Sequence, residues 1–185
     1  MPRRIRRLGL LALVLLVIGA IALVLTARPK LEDEHDRADD RWTRLRAPLA
    51  QRYDQLAAVR DQLQQAGAED RDVTKELTRA LNRWADLVES SDADADTSAE
   101  AEAANDLEGL ATRVKRTVMG SARLSTVQPL ADALAAFTAT VPATDDVVAY
   151  NEAAESYQRT TESARYEFVA RIFGYDAPPA LVLSG

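Results

Sequence analysis

Apolar residues recur every three or four positions over most of this chain, a spacing that lines one face of an α-helix rather than alternate faces of a strand. Trp42, Leu45, Leu49, Tyr53, Leu56, Val59 and Leu63 form one such stripe, closed by Ala66-Gly67-Ala68. Val73, Leu77, Leu81, Trp84 and Val88 form a second, which Asp70 or Asp72 can cap at its start. A third carries Leu107, Leu110, Val114 and Val118, then Leu124, Val127, Ala131, Leu134 and Val141. Gly120 and Pro129 interrupt it, and Pro129 predicts a kink or break. Pro142 and Asp145 or Asp146 open the fourth. Its stripe is Val147, Tyr150, Ala154, Tyr157, Thr161, Ala164 and Phe168, a heptad seam of the coiled-coil kind. Gly174 suits its end, and Pro178-Pro179 forbids a restart.

A different pattern precedes these stripes. Leu8 to Thr26 carry no charge and follow Arg3, Arg4, Arg6 and Arg7. As a helix the run reaches about 28 Å, close to the hydrocarbon thickness of a bilayer. A cleaved signal peptide is the competing reading. However, the run is long for one, and Leu25-Thr26-Ala27 places a Leu where a small residue is wanted. The arginine asymmetry places residues 1–7 in the cytoplasm, 8–26 across the membrane and the rest outside, as a helical domain over 27–175 and a C-terminal tail over 176–185.

Charge narrows the partners of the outer part. Residues 31–185 hold 17 basic and 29 acidic side chains, a net charge of −12. That opposes nucleic acid and flat adsorption on anionic lipid. Without Cys and with His35 alone, disulfides, thiolate sites, Cys nucleophiles and His-based zinc or Ser-His-Asp chemistry fall away. The expected fold is all-α: a transmembrane helix followed by an elongated antiparallel bundle of four-helix type. The acidic stretch 91–103 reads as a linker within it. Asp92, Asp94 and Asp96 start like a calcium loop, but Thr97 and Ala103 stand where Gly and a bidentate Glu belong.

Two blocks carry a family resemblance. Residues 150–175 read YNEAAESYQRTTESARYEFVARIFGY. Tyr150-Asn151, then Tyr157 seven residues later, then Ala170-Arg171-Ile172-Phe173-Gly174-Tyr175 resemble the last helix of the LemA family of membrane-anchored bacterial proteins. Trp42, Leu49, Arg52, Tyr53 and Asp54 resemble its first extracytoplasmic helix in ungapped register. Gln158 replaces a family Asn, Ala164-Arg165 a Phe-Pro, Val147 an Arg, and Gln55 to Val59 a Leu-Ile-Pro-Asn-Leu. The resemblance implies a divergent member in the cytoplasmic membrane of a bacterium. It implies an anchored helical bundle from a family with no established catalytic activity.

The motif positions Trp42, Leu49, Arg52, Asp54, Tyr150, Asn151, Tyr157 and Gly174 therefore read first as structural. Tyr150-Asn151 and Tyr157 lie on or beside the seam, where a polar pair fixes helix register or forms a ligand site. Arg52 and Asp54 suggest an interhelical ion pair, with a carboxylate or aromatic hydroxyl on a neighbouring helix satisfying Arg52. Glu32, Asp33, Glu34, His35, Asp36, Asp39 and Asp40 could hold a divalent cation. Arg37, Arg41, Arg44 and Arg46 at helical spacing favour a solvated, charge-balanced face. No catalytic, cofactor or metal site is assigned. The expected work is that of a scaffold or adaptor, whose partners are the bilayer through residues 8–26, a membrane or envelope protein and a second copy of itself. The alternative is a ligand sensor acting through another membrane protein. For the apolar run Ala180 to Leu183, contact with lipid and folding back on the bundle both remain open.

Overall fold

A computed structural model describes residues 2–90 and 97–184, with side chains from Val17 onward except at 19–21. The first element, α1 (Pro2–Gln65), is one continuous helix. The expected anchor and first outer helix are therefore not separate elements. Pro29 and Pro48 lie inside α1 without ending it. Both face solvent at least partly, where water replaces the backbone bond that a proline removes. Among the described residues no helix is long and apolar enough to cross a membrane. The expected anchor, 8–26, falls largely on residues whose side chains lie outside the described ones.

All seven stripe residues from Trp42 to Leu63 are buried. After Gln65 the chain turns through Gly67, whose φ of +65° is the left-handed conformation that glycine adopts at least cost. Helix α2 (Asp72–Glu89) returns along α1, with Val73, Leu77, Leu81 and Trp84 buried. No side chain caps its start. Asp70 pairs with Lys75 at 3.3 Å instead, and Asp72 already belongs to the first turn. Helix α3 (Thr97–Met119) begins earlier than expected, which shortens the 91–103 linker. Ala101, Ala103 and Ala104 are buried there, small enough to let the helix approach its neighbours closely. Asp92, Asp94 and the rest of 91–96 lie outside the described residues.

After a single 3-10 turn, α4 (Gln128–Ala139) carries Pro129 in its first turn. There the missing N–H would have had no helical partner anyway. Of the expected kink or break, the structure has a break, with Pro129 at the start of the new helix. Helix α5 (Thr144–Glu162) then stops, and after Ser163 to Tyr166 the chain resumes as α6 (Glu167–Phe173). The seam holds from Tyr150 through Tyr157, but Ala164 and Phe168 are exposed because the break rotates α6 out of register. Gly174 ends α6 at φ +69°, as its position suggested.

Contacts with α1 fix the topology. Arg52 meets the carbonyls of Phe137 and Thr140, Trp42 stacks on Tyr150, His35 lies against Tyr157, and Arg28 lies over Phe173. Falling numbers on α1 meet rising numbers on its partners. Helices α4, α5 and α6 thus stack end to end as one column antiparallel to α1. With α2 antiparallel and α3 parallel, the bundle has four columns, the fourth broken twice.

Candidate functional site

The upper break in the fourth column, between α4 and α5, exposes helix-end carbonyls that need donors. Arg52 supplies them. Its side chain is fully buried, with the guanidinium 4.0 Å from the centre of the Phe137 ring. Nη1 donates to Phe137 O at 3.1 Å and Thr140 O at 2.7 Å. Nε and Nη2 form a two-pronged pair with Glu108 of α3, at 2.7 and 2.9 Å. Nη2 also donates to Ser184 O at 2.8 Å. All five guanidinium N–H groups are thereby used. Glu108, equally buried, accepts in addition from Ser184 N at 2.8 Å and Ser184 Oγ at 2.5 Å.

Ser184 belongs to an extended segment, 178–184, that runs between α3 and α5. The α5 residue Asn151 accepts from Leu181 N at 2.7 Å and donates to Leu181 O at 3.0 Å. On the opposite side Asn105 of α3 donates to Ala180 O at 2.9 Å and accepts from Val182 N at 2.9 Å. In an extended chain, N–H and C=O of one residue point one way and those of its neighbours the other. The two amides therefore read opposite edges of the segment, as flanking strands would. Tyr150 OH donates to Pro179 O at 2.9 Å. Between these polar contacts Leu181 enters the main core, 2% exposed, while Val182 points outward. Of the two fates open to Ala180–Leu183, the structure has the segment folded back on its own bundle.

Other motif residues serve the same frame. Trp42 Nε1 donates to Glu100 Oε2 at 2.5 Å, and Arg46 donates to the same oxygen at 2.8 Å. Tyr53 stacks edge-on against Trp84 and donates to Ala104 O at 3.2 Å. Leu49 is core. Asp54 is exposed and takes no part in the Arg52 pair, because it lies two positions further round the helix. Burial raises the Tyr53 and Tyr150 hydroxyl pKa values, with Glu108 adding to the first and Asp39 to the second.

Along residues 27–38 of α1 lies a second, smaller core of Ala27, Leu31, Ala38, Ala153, Tyr157, Val169 and Ala170. Glu34, expected on a solvated face, is buried here and bonded to Lys30 and Arg37. Burial pushes its carboxyl pKa up. Hydrogen bonds from Lys30 and Ser156 and the charges of Lys30 and Arg37 outweigh that and hold it below the usual range. His35 lies edge-on to both Tyr157 and Tyr175 and pairs with Asp39 at 3.4 Å. Among the described residues, Tyr157 OH and Asp39 Oδ1 are buried without a hydrogen-bond partner. Burial, then Tyr175, Asp176 and Asp39, raise the Tyr157 pKa. No three His, Asp or Glu side chains among the described residues converge as metal ligands.

Compared with family models, with curated proteins and with solved structures, the chain matches none.

Sequence reasoning named Arg52, Tyr150 and Asn151 but missed Glu108, Asn105, Glu100 and Ser184. A signal existed. Glu108 interrupts the small and apolar stripe Ala104, Leu107, Ala111, as Arg52 interrupts Leu49, Tyr53, Leu56. Opposite charges set among the inward-facing apolar residues of two helices predict that they meet, since neither tolerates burial alone.

Proposed function

We propose that this chain is a LemA-like, single-pass membrane protein whose outer bundle is a non-catalytic scaffold or adaptor, anchored through residues 8–26 in a bacterial cytoplasmic membrane with residues 1–7 inside. The observation that carries this reading is the meeting of the two motif blocks. Trp42 stacks on Tyr150, and Arg52, Tyr150 and Asn151 all direct their hydrogen bonds to groups of the chain itself. Residues devoted to internal geometry suit a rigid display surface better than chemistry on a substrate. The apolar run and the preceding arginines support the anchor.

Protease added to intact protoplasts tests the topology. The expected result is digestion of the outer part with a short protected N-terminal fragment. A soluble, processed chain in the medium overturns the anchor. Cross-linking in the native membrane tests the adaptor role, which predicts one reproducible partner besides the chain itself.

One observation favours the second reading, a ligand sensor. The unpartnered Tyr157 hydroxyl and Asp39 oxygen beside His35 offer a buried donor and acceptor to a small polar ligand. Saturable binding that Tyr157→Phe and Asp39→Asn both abolish would select it over the scaffold.

A further inference from the structure

The segment 178–184 is held unlike ordinary core. A packed apolar tail needs apolar neighbours only. This one is gripped by Asn105, Asn151, Tyr150, Arg52 and Glu108, drawn from three helices, and every bond they make to it except the two at Ser184 Oγ reads main-chain atoms. Of its side chains Pro178 and Leu181 are buried and Leu183 packs partly against the core, while Ala180 and Val182 stay exposed. Helices α3 and α5 barely touch each other, and the bonds of Asn105 and Asn151 set the segment between them. Without it, the half-buried amides of Asn105 and Asn151 would lose both partners, and Glu108 and Arg52 would keep each other but lose Ser184, leaving hydrogen-bonding groups along an open groove.

We infer that the cleft between α3 and α5 is a binding groove for an extended peptide, that residues 178–184 are its resident ligand, and that the occupant it exchanges for is the same segment of a second copy of this chain. That segment satisfies the groove by identity, since the contacts are the same within one chain or between two. The tether supports exchange. Helix α6 buries only Val169 and Ala170, and irregular backbone flanks it at 163–166 and 174–177. Release of α6 leaves about fifteen residues, 163–177, free to span up to about 50 Å. Exchange of an identical element is a low-cost route to joining copies. The inference stands on the groove and does not depend on the membrane reading.

Two full-length variants in detergent micelles test it. One keeps its segment but has a defective groove, Asn105→Ala with Asn151→Ala. The other keeps its groove but carries Leu181→Asp. Tagged groove-defective chain is expected to capture the Leu181→Asp chain at least tenfold above the background seen when both chains carry Leu181→Asp. No capture between folded chains overturns the inference, and so does capture that survives Leu181→Asp on both. Should the asparagine variant fail to fold, a dye-labelled peptide of residues 176–184 is added to the Leu181→Asp chain. Saturable uptake supports exchange, and its absence overturns it. If that chain is itself unfolded, recovery of its melting transition on adding the peptide is the uptake to be read, and no recovery overturns exchange.

Discussion

Arg52 and Glu108 are each tolerable in the core only because of the other. A buried carboxylate or guanidinium left alone carries its full desolvation cost, and two parallel N–H···O bonds offset it through geometry as well as charge. Arg52→Ala and Glu108→Ala are each expected to destabilise the fold by about 3–5 kcal/mol in chemical denaturation. The double variant should lose much less than the sum, because neither charge is then stranded. Arg52→Lys should behave nearly as badly as the alanine, since an ammonium cannot serve Glu108, the Phe137 and Thr140 carbonyls and Ser184 at once. Additive losses would show that the pair is not coupled. Glu34 differs in that its effect depends on pH. Its folded pKa lies below the ordinary 4.5, so the stabilisation it contributes is present above that value. It fades as pH falls through the lower, folded value. The melting temperature of the native chain should exceed that of Glu34→Gln at pH 7, and the gap should narrow as the pH falls below 4.5. A gap that widens on acidification would reverse the sign of the shift.

At the scale of elements, a glycine stabilises a helix end only where the backbone turns left-handed, and two glycines test this in opposite directions. Gly174 closes α6 in the left-handed region at φ +69°, where an added Cβ is strained despite open space around it. Gly109 sits in mid-α3 in ordinary helical conformation with nothing within 4 Å of an added Cβ. Gly174→Ala should cost about 1 kcal/mol, and Gly109→Ala should stabilise by about 0.5–1 kcal/mol, both read from denaturant midpoints. The helical stripes were legible because burial imposes the 3.6-residue period directly on sequence. The stripe from Trp42 to Leu63 and the stop at Gly174 follow from local rules alone. The break at Ser163 was not legible, since 147–168 keeps its apolar spacing across it. The pairing of Asn105 and Asn151 was not legible either. Both are ordinary surface-type residues, and their role comes from an extended segment that local sequence does not place between them.

For the whole molecule, the antiparallel fourth column returns the chain to the level of α1 where the apolar run ends. Tyr175 OH lies 3.3 Å from Glu32, and Arg28 stacks on Phe173, which places α6 beside residues 24–32. Helix α6 buries Val169 and Ala170 against α1 and turns Phe168, Ile172 and Phe173 outward, at 55, 57 and 45% exposure. Leu25 on α1, 69% exposed, lies at the same end. An apolar face of this kind in contact with water is unfavourable, and aromatic residues beside arginines suit the headgroup layer. If the proposed anchor holds, contact with lipid falls to α6, while Leu181 is buried in the core. The chain lacks Cys, so single labels can be placed cleanly. In the full chain reconstituted in bilayers, a lipid-borne quencher should reach a dye at Ile172→Cys strongly and one at Met119→Cys, exposed at the far end of the bundle, not at all. A dye at Leu181→Cys should report the same burial in bilayers and in micelles. Equal quenching at Ile172 and Met119 would lift α6 off the membrane, and bilayer-dependent burial at Leu181 would return the closing segment to it.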